Sequence, residues 1–309
     1  MMAVFVAIMA QSLTLVLDAR PNPTCRRQAG DDLVVCAPGD VLTPILDADI
    51  DGTSAKVLVE PGAAHDLTCN PSFIRRARIM ARGVAPLAEV GPVTVTGGYG
   101  QVGMTLAARS GRFPIRWGPL ETVRMADCVV GPRHLPFDRV RFVFGDHRAG
   151  ATTVALPFKR RNLGHIYADV PVGRETLAIR FEQQYARSVL TAPAAQAIAP
   201  IHGGTSTGPL LAEPISYGVV RLIRTFKLHR PLRVGSLTLA APYVRVQDYG
   251  RAMNIRSVDP DALKEGDLLV AAKRPKPGAL KLVRVGNDDL SRCVELTVDK
   301  MKREISLTC

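Results

Sequence analysis

The chain has 309 residues, 47% of them hydrophobic and 22% charged. That is enough apolar material for real cores, and with no low-complexity tract it excludes extensive disorder. The formal charge is +12, but the basic residues fall in separate groups: Arg75 to Arg82, Lys159 to Arg161 and Lys273 to Lys276. Without an aromatic-interleaved basic stripe or a recognisable binding module, a specific nucleic-acid role is not expected, and the charge reads as a solvated face.

The first 19 residues, MMAVFVAIMAQSLTLVLDA, are apolar up to Asp18 and too short to span a bilayer comfortably. They fit an export signal ending near Ala19 or Ala10. The absence of Lys or Arg before the apolar run, and the large Leu17 or Ile8 at the third position before the cut, leave a buried N-terminal segment as the competing reading. No other stretch is long and apolar enough for a membrane helix, so no span is expected once the signal is removed. Six cysteines, an even number, favour an oxidising compartment and a periplasmic or secreted protein. Local closure favours Cys25 with Cys36 across a polar turn and Cys293 with Cys309 across a hairpin, leaving Cys69 with Cys128. This is one of many pairings that six cysteines allow, and six buried free thiols are the alternative. No CxxC pair and no Cys/His zinc spacing occurs, so neither metal nor cofactor is expected.

Short β-branched runs with period-two alternation, broken by Gly, Pro and Asp, predict strands over 54–60, 92–97, 139–146, 152–158, 175–182, 237–248 and 294–300. Helical signals are few: 192–199, and a weaker one over 71–81. The chain also repeats itself. Segment 45–68 can be laid on 166–191. Each has a strand with Ala-Asp (Ala48-Asp49, Ala168-Asp169), a turn glycine (Gly52, Gly173), an alternating strand ending in glutamate (Glu60, Glu182), and a Thr before a short helix. Segments 140–158 and 293–309 are both strand, Asp, turn, strand. The second half is longer, and the extra length is expected near 200–230. Length alone suits two lobes of about 120–150 residues. They are expected over 20–150 and 151–309, after a signal at 1–19, with the boundary near 147–152.

These residues resemble a known family, the retropepsin-like and pepsin-like aspartic peptidases. Residues 41–69 are similar to the family's opening hairpin, which leads into hydrophobic-hydrophobic-Asp-Thr/Ser-Gly-Ala. Here Leu58-Val59-Glu60-Pro61-Gly62-Ala63 stands in that place. Val129-Val130-Gly131 resembles the later hydrophobic-hydrophobic-Gly element. In the second half, Ile179 to Gln184 takes the place of the second Asp motif and Leu269-Val270-Ala271 that of the second hydrophobic-hydrophobic-Gly. The resemblance implies an all-β fold of two double-psi barrel lobes with a central cleft and a few short helices. It also implies a carboxylate pair, Glu60 and Glu182, one from each lobe. Crowding would split the pKa values of such a pair, so that one acts as base and the other as acid. It implies cleft-lining roles for Gly62, Ala63, Gly98, Tyr99, Gly100 and Gly131.

The chain departs from the family at several points. Glu replaces Asp twice, Pro61 lacks the bracing hydroxyl, and Gln184 replaces the second glycine. The expectation is an exported, degenerate or non-canonical relative binding an extended peptide in the cleft. An acid peptidase with a Glu/Glu dyad and a non-enzymatic periplasmic interaction protein are the alternatives; oligomeric state is unspecified. Gly98-Tyr99-Gly100-Gln101-Val102-Gly103 matches GxGxxG, but no helix or βαβ unit follows, which argues against a dinucleotide. The dispersed histidines form no metal motif, and Ser206 in GGTSTG has no partner base. Asp146 and Asp299, each ending a strand at a turn, are expected to be structural.

Overall fold

The computed structural model describes residues 14–18, 33–36, 44–63, 66–90, 93–106, 109–135, 137–146, 148–161, 165–246 and 280–309. Cys25, residues 269–271 and the basic group at 273–276 lie outside them, so the expected Cys25–Cys36 pairing does too.

In chain order the strands begin with β1 (Thr14–Asp18), β2 (Leu33–Cys36), β3 (Ile45–Ile50), β4 (Thr53–Val59) and β5 (Leu67–Cys69). Helix α1 (Pro71–Arg76) precedes β6 (Gly83–Val90), β7 (Val93–Leu106), β8 (Arg109–Trp117) and β9 (Cys128–Val130). A 3-10 turn, Pro132–His134, leads to β10 (Arg139–Val143), β11 (Thr153–Arg161), β12 (His165–Val172), β13 (Glu175–Phe181) and β14 (Val189–Leu190). Helix α2 (Ala192–His202) is followed by β15 (Thr205–Ser216), β16 (Val219–Lys227), β17 (Leu232–Val234), β18 (Leu237–Leu239), β19 (Tyr243–Arg245) and β20 (Leu282–Val285). A short α3 (Asn287–Leu290), β21 (Glu295–Asp299) and β22 (Glu304–Thr308) end the chain.

The protein is all-β with short helices. One seven-stranded sheet runs β3-β4-β9-β5-β8-β7-β6, and the β3–β7 pairing closes six of these strands into a barrel. A larger sheet contains the run β12-β13-β20-β14-β19-β16-β15. Position by position the two runs are the same. Parallel β4–β9 matches parallel β13–β20, antiparallel β5–β9 matches antiparallel β14–β20, and parallel β5–β8 matches parallel β14–β19. Hairpins β3–β4 and β6–β7 match β12–β13 and β15–β16. The chain is thus built from two equivalent units.

Between the units, β10, β21, β22 and β11 continue the larger sheet. The equivalent strands β10 and β21 pair antiparallel, with Arg139 opposite Asp299 and Val143 opposite Glu295. A local two-fold relation centred on Arg141 and Thr297 demands this register. One apolar core runs through both units, from Ile50 and Phe73 past Phe142 and Leu296 to Phe181 and Phe226. Disulfide Cys69–Cys128 ties β5 to its partner β9, and Cys293–Cys309 closes the β21–β22 hairpin. Asp299 receives Arg139 and caps the hairpin turn by accepting Lys302 N–H, the structural role expected of it.

Several local expectations change. Helix α1 stops at Arg76, five residues short of the predicted end. Arg78 takes a left-handed conformation (φ 52°), and Ile79 N–H reaches back to Ile74 C=O, a Schellman-type stop that turns the chain into β6. Residues 205–227 are not an insertion, since β15–β16 is the counterpart of β6–β7. The extra length lies in β17–β18 and between β19 and β20. Counted from the turns, Asp49 matches Pro171 rather than Asp169, a shift of two residues that keeps every side chain on its face. The second hydrophobic-hydrophobic-Gly element is Val283-Arg284-Val285-Gly286 at the end of β20, not residues 269–271. Thr14–Asp18, inside the expected signal, pairs parallel with both β10 and β2. A cut after Ala10 would keep this strand and one after Ala19 would remove it. The GxGxxG segment lies within β7, which continues antiparallel into β8, so the βαβ unit a dinucleotide needs is absent there. Among the described residues no helix is long and apolar enough to cross a membrane.

Candidate functional site

Each of the two glutamates follows the strand that enters the middle of its unit. Glu60 N–H donates to Val130 C=O at 3.0 Å, and Glu182 N–H donates to Val285 C=O at 2.9 Å. The parallel pairs β4–β9 and β13–β20 therefore deliver the two residues to equivalent positions at the seam. The loops that carry them interlock. Gly62 N–H donates to Phe181 C=O at 2.9 Å, and a Cβ on Gly62 would lie 2.7 Å from that same oxygen. Only glycine permits this approach. His165, at the start of β12, has Nδ1 at 2.9 Å from Gly62 C=O, a second tie between the units.

The two carboxylates have different surroundings. Glu60 has no exposed surface. Its oxygens accept N–H groups from the opposite loop, a short bond from Gln183 to Oε1 and one of 3.2 Å from Gln184 to Oε2. Its longer side chain reaches across the seam and does the bracing for which Pro61 has no hydroxyl. Glu182, also buried, is bound within its own unit. Arg180 Nη2 donates to its Oε2 at 3.1 Å, and Arg180 Nε lies 2.9 Å from Oε1 as an ion-pair contact without hydrogen-bond geometry. Arg284 stands 3.9 Å away, with its guanidinium 4.0 Å from the centre of the Tyr185 ring. Arg284 also binds Glu213, which in turn receives Arg187 at 3.0 Å. In the first unit the positions of Arg180 and Arg284 are held by Leu58 and Val129, which form a small apolar cluster with Ala63 and Val123. A buried ionic network in one unit thus replaces an apolar patch in the other.

Burial, reinforced by the nearby charge of Glu182, pushes the Glu60 carboxyl up to about 8 against the opposing pull of the two amides and Arg180. Burial, with Arg180 adding to it, pulls His165 down to about 3, so its imidazole is neutral and Nδ1–H is the donor to Gly62. The Tyr185 phenol is raised by burial and by Glu182.

The counterpart hairpins close over the seam. Tyr217, at the β15–β16 turn, is buried against Leu87 and Val95 of the first unit, with its hydroxyl 3.4 Å from Thr68 Oγ1. Arg221 donates to Val90 C=O. A cavity of about 210 Å³ remains at the seam, lined by Glu121, Thr122 and Arg124 from one unit and Gln184, Tyr185 and Ser216 from the other.

Of the expected cleft residues, Gly62 is spent on the loop interlock and Ala63 on the apolar cluster. Gly131 leads from β9 into the 3-10 turn. Gly98 and Gly100 lie inside β7, with Gly98 against the Trp117 ring, and the Tyr99 ring covers Gly83. None of those three lines the seam cavity. Sequence reading missed Arg180, Arg284, Glu213 and Tyr217. Arginines in otherwise apolar strands (AIRF, LVRV) were the available signal. Among the described residues no three His, Cys, Asp or Glu side chains converge as metal ligands.

No family model matches the chain, and no curated protein matches it. Among solved structures, EIAV protease complexed with the inhibitor HBY-793 is similar at 15% identity over 29% of this chain and 83% of its own, with a TM-score of 0.24. The retroviral protease-like domain of Ddi1 from Leishmania major is similar at 17% identity over 28% of this chain and 70% of its own, with a TM-score of 0.22. Likenesses of that size carry no functional argument, and the description of the fold rests on the strand order and pairing above.

Proposed function

We propose that this chain is an exported, catalytically silent relative of the retropepsin-like peptidases, with Glu60 and Glu182 at the two catalytic positions, and that it binds an extended peptide at the seam. The observation that carries the silent reading is the engagement of both carboxylates. Glu60 is bonded to the Gln183 and Gln184 amides and Glu182 is ion-paired with Arg180. A proton-sharing dyad needs two carboxylates turned toward one water, and misplacement by about 1 Å can cost a hundredfold in rate. Peptide binding is favoured by the seam cavity, which both units line and whose roughly 210 Å³ suits one or two side chains.

The test is digestion of a broad peptide library at acid and neutral pH by wild type, Glu60→Gln, Glu182→Gln and Glu60→Asp, with binding of the same library measured in parallel. The expected result is no cleavage by any variant and binding that Ser216→Trp removes by filling the cavity. Cleavage by wild type that both Gln variants abolish would overturn the silent reading in favour of a Glu/Glu dyad. Binding untouched by Ser216→Trp would refute the seam as the peptide site.

A further inference from the structure

From Pro71 to Leu120 the chain carries seven arginines and a single acidic residue, Glu89. Four of the arginines fall in ten residues, 75–84 (RRARIMARGV), which leave the short helix α1 and enter the edge strand β6. Arg75, Arg76, Arg78 and Arg82 are all exposed. Arg76 is paired with Asp127 at 2.8 Å, whereas Arg75, Arg78 and Arg82 have no ion pair among the described residues. Met80 and Val84, lying between these arginines, are 84% and 74% exposed, and Tyr99, on the neighbouring strand, is 38% exposed. Arg82 N–H donates to Tyr99 C=O where the chain enters β6, and there Val84 pairs with Gly98 and Gly83 with Tyr99, so the Tyr99 ring covers Gly83 on the sheet face opposite to Val84.

We infer that this segment, with Arg75, Arg78 and Arg82 beside Met80 and Val84, docks the protein on an anionic lipid bilayer. Guanidinium groups around projecting apolar side chains match an interface whose phosphates take the charge while its acyl boundary takes the methionine and valine. An acidic peptide or a nucleic acid would supply the charge but no apolar phase. Among the described residues the other exposed large apolar side chains are Met125, Val154, Ile201 and Met301, and Met80 and Val84 are as exposed as any of them.

The experiment uses the full chain with vesicles of phosphatidylcholine alone or with a quarter phosphatidylglycerol, at low salt. Met80→Trp and the remote control Met301→Trp report depth through quenching by brominated lipid. The expected result is binding to the anionic vesicles only, with quenching at position 80 and none at 301. The triple change Arg75→Ser, Arg78→Ser, Arg82→Ser should weaken association on the order of a hundredfold, at about fivefold per arginine. Its circular dichroism should remain that of wild type. Binding without quenching at position 80, binding unaffected by the triple change, or complete competition by polyglutamate would each overturn the inference. So would failure to bind anionic vesicles at low salt. None of these outcomes bears on the seam or its carboxylates.

Discussion

Replacing Glu60 by Gln isolates the cost of a buried carboxyl at the seam. The group is fully buried, and its pKa is raised from 4.5 to about 8 in the folded chain. Between those values the unfolded chain is ionised at this position while the folded chain still holds the proton. The folded state therefore binds more protons, and stability falls as pH rises through this window. At about 1.4 kcal/mol per unit, the loss from pH 4.5 to pH 8 is on the order of 5 kcal/mol. Gln titrates nowhere in that range. It keeps one acceptor for Gln183 N–H but turns an amide nitrogen toward Gln184 N–H, a mismatch of about 1–2 kcal/mol. The variant should thus be slightly less stable than wild type at pH 4.5 and more stable at pH 9, with the curves crossing between. Urea unfolding followed by Trp117 fluorescence at four pH values from 4.5 to 9 measures this, and groups common to both proteins cancel in the difference. A wild type that gains stability over Glu60→Gln as pH rises would mean that the amides hold Glu60 ionised, and the burial reasoning would fail.

Arg180→Leu copies into the second unit the residue found at the equivalent position of the first, Leu58, but strands buried Glu182. It should cost about 3–5 kcal/mol in urea unfolding, and adding Glu182→Gln should recover a large part of that. Replacing Cys69 and Cys128 by Ala, which opens a link across 59 residues, should cost about 4 kcal/mol; the same change at Cys293 and Cys309, 16 apart, should cost about 3 kcal/mol. Equal losses, or a larger loss at the shorter loop, would show that the strand pairing already holds these cysteines without help from the link.

The duplication was legible because hairpins mark themselves locally. Alternating strands joined by Asp51-Gly52 and Gly173-Arg174 can be read without knowing what lies beside them, and the glutamates ending the second strands come with them. Pairings distant in sequence were not legible. Nothing in 205–216 announces that Glu213 will meet Arg284, because that depends on β15 and β20 joining one sheet with β16, β19 and β14 between them. Arg284 itself hid the second hydrophobic-hydrophobic-Gly element by interrupting LVRVG, so a more uniformly apolar run at 269–271 took its place. Tyr217 reads as an ordinary turn residue, and the buried residues it packs against, Leu87 and Val95, come from the opposite unit. Arg78 gives no turn signal, since a left-handed arginine is uncommon and is held here by the bond from Ile79 back to Ile74.

The two units therefore share a backbone while diverging in what they place around the same glutamate position. In the first, Leu58 and Val129 make an apolar wall; in the second, Arg180 and Arg284 occupy those positions and lie against Glu182 and Glu213. A symmetric carboxylate pair needs similar surroundings on both sides, so that either group can hold the shared proton. Here Arg180 neutralises one carboxylate from its own side, while the other is dry, holds its proton up to about 8, and is bonded to two amides. Part of the asymmetry lies in the β-strands themselves, with Arg180 in β13 and Arg284 in β20. The Glu60→Asp change alone should accordingly give no peptide hydrolysis, because the shorter side chain gives up the Gln183 and Gln184 amides while Arg180 still holds Glu182.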